Sequence, residues 1–134
     1  MSAEEESQAI IYLYRPSASC AALATPWVTL NGYKMVLLGN NQYTRLVVRP
    51  GLYMVQTERS DNWIDGQPDT LHFSAEIWGI YFLKISLQIE WHLEDLFLIL
   101  CARCSIGEDT SKIEEADKSI AIPELKKTNF VSPL

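Results

Sequence analysis

The stretch WVTLNGYKMVLLGNNQYTRLVVRPGLYMVQTE, residues 27–58, decides the fold class. Asn31-Gly32 is the dipeptide that a type I′ hairpin turn prefers, because both central residues of that turn need positive φ. A hairpin from Trp27 to Leu38 is therefore predicted. Gly39-Asn40-Asn41 makes the next turn and Tyr43 to Arg49 the next strand. Pro50-Gly51 turns the chain again, since proline presets φ and glycine accepts the position after it. Leu52 to Glu58 then returns. Turn signals at spacings of roughly ten residues, with β-branched and aromatic residues between them, mark an antiparallel meander and not βαβ units. The fold class predicted is all-β: an antiparallel β-sandwich built from a meander of hairpins, with a short C-terminal helix.

Upstream, Ala9 to Tyr14 reads as a strand that ends at Arg15-Pro16, where the ladder cannot continue. Ser17 to Thr25 is small and polar, a loop or one helical turn. Downstream, Ser60 to Asp69 is the longest loop in the core region, Leu71 to Glu76 alternates apolar with polar, and Trp78-Gly79 bends the chain. Tyr81, Leu83, Ile85, Leu87, Ile89 and Trp91 alternate with Phe82, Lys84, Ser86, Gln88 and Glu90, the cleanest period-two run in the chain. Leu96 to Cys104 is expected to pair with it as a hairpin covered on both faces. Ser111 to Leu125 carries Ile113, Ala116, Ile120, Ala121 and Leu125 at helical spacing, broken near Pro123. Thr110 or Ser111 is its expected cap, with Glu114 or Glu115 in the first turn. The domain reading is a disordered acidic leader over 1–8, the sandwich over 9–106, and a helical or extended segment over 107–134 packing on it.

The chain has 134 residues, enough for one core, with 11 Lys plus Arg against 17 Asp plus Glu and a net charge of −6. That field repels a phosphate backbone, so nucleic acid is excluded as a partner. No apolar run reaches the roughly 18 residues that a spanning helix needs. Met1 to Gln8 lacks the basic-then-apolar layout of a secretory signal, as a chain trimmed behind such a signal also would. Three cysteines do not suggest a disulfide framework.

Cys101-Ala102-Arg103-Cys104 has redox or zinc spacing. It ends an extended run, where residues three apart face opposite ways with Cα atoms about 10 Å apart, beyond disulfide reach. These thiols and Cys20 are read as buried or edge residues. His92, among Glu90, Glu94 and Asp95, is read as part of a solvated turn, and His72 as a surface histidine. Asp61, Asn62, Asp65 and Asp69 offer hard oxygens without the glycine and glutamate positions of a calcium hand. No nucleophile elbow, phosphate loop or His-Glu-x-x-His is present. Of Trp27, Trp63, Trp78 and Trp91, only Trp63 is expected to project, from its polar loop; the others read as core. The binding candidates are Trp63, Asp61, Asp65 and Arg15, with no catalytic residue, no metal ligand and no cofactor.

The run Ile10 to Ser17 with Arg15-Pro16-Ser17, then Asn31-Gly32, Gly39, Tyr43 and Pro50-Gly51, resembles the DUF2846 family of small bacterial envelope proteins, often lipoproteins. Phe73-Ser74-Ala75-Glu76 and Gly79 to Lys84 are similar to that family's later aromatic strand pair, so the likeness covers Ala9 to Ile89. The resemblance implies a non-enzymatic envelope module on the periplasmic side, with cytoplasm the alternative, that binds a protein or cell-wall component and meets a membrane only through an N-terminal lipid anchor absent from this chain. It carries over no catalytic residue. The alternatives are an immunity or inhibitor protein that binds a toxin, and a thiol- or metal-dependent enzyme using Cys101, Cys104 and His92. Exposed strand edges allow a dimer.

Overall fold

The computed structural model describes residues 8–18, 23–64, 66–90 and 108–134. Its strands are β1 (Ala9–Arg15), β2 (Trp27–Leu30), β3 (Tyr33–Leu37), β4 (Gln42–Val48), β5 (Gly51–Glu58), β6 (Thr70–Ala75), β7 (Ile80–Glu90), β8 (Glu108–Glu115) and β9 (Asn129–Phe130), with helix α1 (Lys118–Leu125) between the last two. They form a five-stranded sheet in the order β8-β7-β1-β4-β9 and a four-stranded sheet in the order β3-β2-β5-β6. The all-β sandwich with a short C-terminal helix is the architecture that the turn pattern predicted.

The connections differ from a simple meander. Asn31 (φ 50°) and Gly32 (φ 87°) do close a β2–β3 hairpin. Strand β4, however, pairs with β1 in the other sheet, so Gly39-Asn40-Asn41 and Pro50-Gly51 are arches that carry the chain from one sheet to the other and back. A turn signal marks where the backbone reverses; it does not say which sheet receives the next strand. Two pairings in the five-stranded sheet are parallel: β1 with β7, in the register Ile10↔Ile80 to Tyr14↔Lys84, and β4 with β9 through Gln42↔Asn129 and Tyr43↔Phe130.

The core lies between the sheets. Ile11, Leu13, Leu46, Leu83, Ile85 and Ile113 from one sheet meet Val28, Leu30, Val36 and Val55 from the other, together with Leu38. Period-two alternation puts them there: Leu83, Ile85 and Leu87 of β7 point inward, while Phe82 and Lys84 point out. Arg15 continues the inward parity of β1 and is 1% exposed, its guanidinium donating to the carbonyls of Ala24 and Leu38, the latter at 3.2 Å.

The C-terminal segment corrects the expectation of a helix from Ser111. Glu108 to Glu115 is a strand that pairs antiparallel with β7, from Leu83↔Glu115 to Glu90↔Glu108. Thr110 and Ser111 therefore lie inside a strand and cap nothing. Ile113 sits opposite Ile85 in the core, and Ser111 bonds Thr57 at 2.5 Å. An eight-residue ladder on the open edge of β7 outweighs the weak helical preference of this segment. The expected β7 partner, Leu96 to Cys104, lies outside the described residues, as do Cys20, Trp91 and His92.

Helix α1 then covers part of the outer face of the five-stranded sheet. Ala121 packs with Tyr14 and Phe82, and Tyr12 stacks on Phe82 at 5.3 Å. Pro123 is inside the helix, which ends two residues later. The Glu124 carboxylate accepts from the Tyr14 hydroxyl at 3.2 Å and pairs with Lys84 Nζ at 3.1 Å. Burial first, and then the neighbouring Glu124 carboxylate, hold the Tyr14 phenol well above its ordinary value of 10.0.

Two outcomes follow. The folded chain holds the Tyr14 proton more tightly than the unfolded chain does. Its contribution to stability is therefore complete below about pH 10 and is lost as pH rises through the folded value. Urea midpoints measured upward from pH 9 should fall for the wild type and fall less steeply for Tyr14→Phe. Replacing Arg15 by Met leaves two buried carbonyls without this donor and should cost about 3 kcal/mol in urea unfolding.

Candidate functional site

Four residues were singled out by sequence, and the structure separates them. Trp63 is 2% exposed, packed with Ala24 and Leu87, where a projecting side chain was expected. Arg15 is buried as described above, so neither is a surface contact. Asp61 is exposed, and Asp65 lies outside the described residues.

The burial of Trp63 has a local cause. The loop closes on itself through Trp63 N donating to Ser60 O at 3.1 Å, while Ser60 Oγ donates to the Thr25 carbonyl. Arg59 Nε donates to Gly66 O at 2.9 Å. The indole lies so close against Gly66 that a Cβ there would come within 1.8 Å of Trp63 Cε2. Asp69 fastens the far end: its N–H donates to Thr57 Oγ1 at 2.9 Å, and its carboxylate accepts from Ile113 N at 2.8 Å. A polar composition read as a solvent-facing loop, but an aromatic ring beside a glycine and a strand end removes more apolar area from water by turning inward.

With Trp63 as the inward pin, its neighbour Ile64 is turned outward and is 68% exposed. It borders a groove of about 660 Å³ with Trp27, Lys34, Leu37, Arg59 and Asp61. The ammonium of Lys34 sits 4.9 Å from the Trp27 ring centroid, a cation–π contact. Trp27 pairs with Leu37 on one side and Glu58 on the other, so regular strand pairing fixes its position. The groove sets an indole, two aliphatic side chains, an ammonium and a carboxylate around one opening, which suits a ligand that is polar yet has an apolar face. Among the described residues, no three His, Cys, Asp or Glu side chains are grouped to hold a metal ion.

Sequence reasoning missed Trp27, Lys34 and Ile64 as site residues. Composition places Trp27 in the core, and Ile64 with Trp63 interrupts a polar loop. The adjacency Trp63-Ile64 was the available signal, because one of two neighbouring apolar residues in a tight turn must face out. No family model and no curated protein matches the chain.

Gly66→Ala should lower stability by about 3 kcal/mol, since the indole cannot move without opening the cluster behind it. Trp63→Ala should cost a similar amount, about 3 to 5 kcal/mol. Both are read in urea unfolding, and an effect below about 1 kcal/mol from either would contradict the pinning role.

Proposed function

We propose that this chain is a non-enzymatic binding module of the cell envelope that holds a cell-wall component in the groove of Trp27, Lys34, Asp61 and Ile64. The observation that carries the reading is an exposed, mixed apolar and charged groove whose residues stand on a paired strand and a hydrogen-bonded loop. Ile64 is turned to solvent by a loop that Trp63 pins, and Trp27 is fixed in a paired strand. Such preorganisation reduces the ordering that a ligand otherwise imposes on its site. Cell-wall glycopeptides present what the groove complements: sugar rings with an apolar face for the indole, carboxylates for Lys34, and hydroxyl and amide donors for Asp61. The likeness to DUF2846 supports the envelope placement.

The test is an isotope-labelled NMR titration with soluble peptidoglycan fragments. The Trp27 indole N–H and the amides of Lys34, Asn62 and Ile64 should shift together, and Trp27→Ala should weaken binding at least about tenfold. Unchanged resonances at millimolar fragment would sink the cell-wall reading.

A further inference from the structure

The groove does not end at Trp27. Strand β5 runs away from it along the outer face of the four-stranded sheet. The pairings Trp27↔Glu58, Gln56↔Thr70, Met54↔His72 and Leu52↔Ser74 put all of these side chains on that one face. The alternate residues Val55 and Thr57 are buried and face the other way. Glu58 and Leu52 stand about 20 Å apart along the strand.

At the Leu52 end of the face is a second cavity, of about 400 Å³, whose lining includes Asn31, Leu52, Met54, His72 and Ser74. Leu52 is 82% exposed, and Thr70, His72 and Ser74 are exposed with it, so the face is open to solvent between the two cavities. Asn31 Oδ1 accepts from Met54 N at 2.8 Å, which leaves the amide nitrogen of that side chain as the donor at the cavity rim. Midway, Gln56 Nε2 donates to Thr70 Oγ1 at 3.2 Å, so an amide and a hydroxyl stand joined between the two ends.

The chemistry changes along this line. The groove carries Lys34, Arg59 and Asp61 around its indole. Between Glu58 and Leu52, β5 and β6 place no carboxylate, lysine or arginine on the face. Stable protein interfaces have an apolar centre and a polar rim. This face has the reverse order, with Gln56 and Thr70 in the middle and Trp27, Met54 and Leu52 toward the ends. A sugar chain matches that order, because every ring offers hydroxyls and amides at its rim and C–H groups on its face. A long, narrow path with a cavity at either end also has the shape of a linear chain.

We propose that the ligand is a linear glycan strand and not an isolated fragment: one unit sits in the groove, the chain lies along the outer face of β5 and β6, and a further unit enters the cavity of Leu52, Met54 and His72. This deepens the cell-wall reading above and rests on it, since the groove is the anchoring subsite. The second cavity adds affinity because a chain held at the groove presents its next units there at high effective concentration.

The experiment is a titration of the labelled full chain with a soluble peptidoglycan disaccharide and with peptidoglycan chains of roughly eight sugars. The long chain should bind at least about tenfold more tightly, and the amides of Met54, His72 and Ser74 should shift with it alone. Leu52→Ser with His72→Ala alters two exposed side chains outside the groove. That double variant should return the long chain to near the affinity of the disaccharide, with the disaccharide's own affinity and the melting temperature unchanged. A long chain also gains from its several registers on a single subsite, and a gain of that origin survives the double substitution. Equal affinity for the two lengths, shifts confined to the groove, or a long-chain affinity that the double variant keeps overturns the extended site and leaves the groove reading in place. Binding of neither ligand by the wild type overturns the groove reading itself, and this proposal with it. A wild-type dimer that the double variant dissociates also overturns the proposal, by assigning the face to a second copy.

Discussion

The guanidinium of Arg15 ties the two sheets together where β1 ends. It lies at the last position of the central strand of the five-stranded sheet, and it donates to carbonyls just before β2 and just after β3, in segments serving the other sheet. A charge buried at that depth is tolerable only when its hydrogens are met, and the carbonyls of Ala24 and Leu38 meet part of that need. The bond to Ala24 also steadies the approach to Trp27, and Ala24 packs on Trp63. The groove therefore inherits its geometry from an interaction inside the core.

From that tie the molecule divides into two unlike ends. One end is built by strand pairing and a loop folded onto its own tryptophan. The other consists of two crossovers, which carry apolar side chains outward and hold Trp78 in an unfavourable backbone conformation. The same alternation that fills the core from Leu83 and Ile85 of β7 supplies Ile80 and Phe82 to its outer face. Helix α1 covers the second and leaves the first open.

Much of the architecture was legible in local signals. Asn31-Gly32 specified its hairpin because a turn with positive φ at both positions matches the twist of the strands it joins, and these two residues adopt it readily. The alternation through Leu83, Ile85 and Leu87 marked the core-facing side of β7. The segment after Gly107 was misread because Ile113, Ala116 and Ile120 are spaced as on a helix, while the open edge of β7, which turned Glu108 to Glu115 into a strand, has no local signature. Trp63 was misplaced for a similar reason, since the composition of its loop described the neighbours and not the cluster waiting behind it.

The amino-acid order by itself determined the class: which segments are extended, where the backbone reverses, and which face of each strand is apolar. These follow from φ preferences and period-two alternation, both properties of neighbouring residues. Tertiary structure alone decided which sheet each strand enters, that Arg15 and Trp63 turn inward, and that Trp27, Lys34 and Ile64 share one groove. Those outcomes depend on partners distant in the chain, such as Ala24 for Arg15 and Leu87 for Trp63. Burial and hydrogen-bond satisfaction choose such partners only once the sheets have closed on each other.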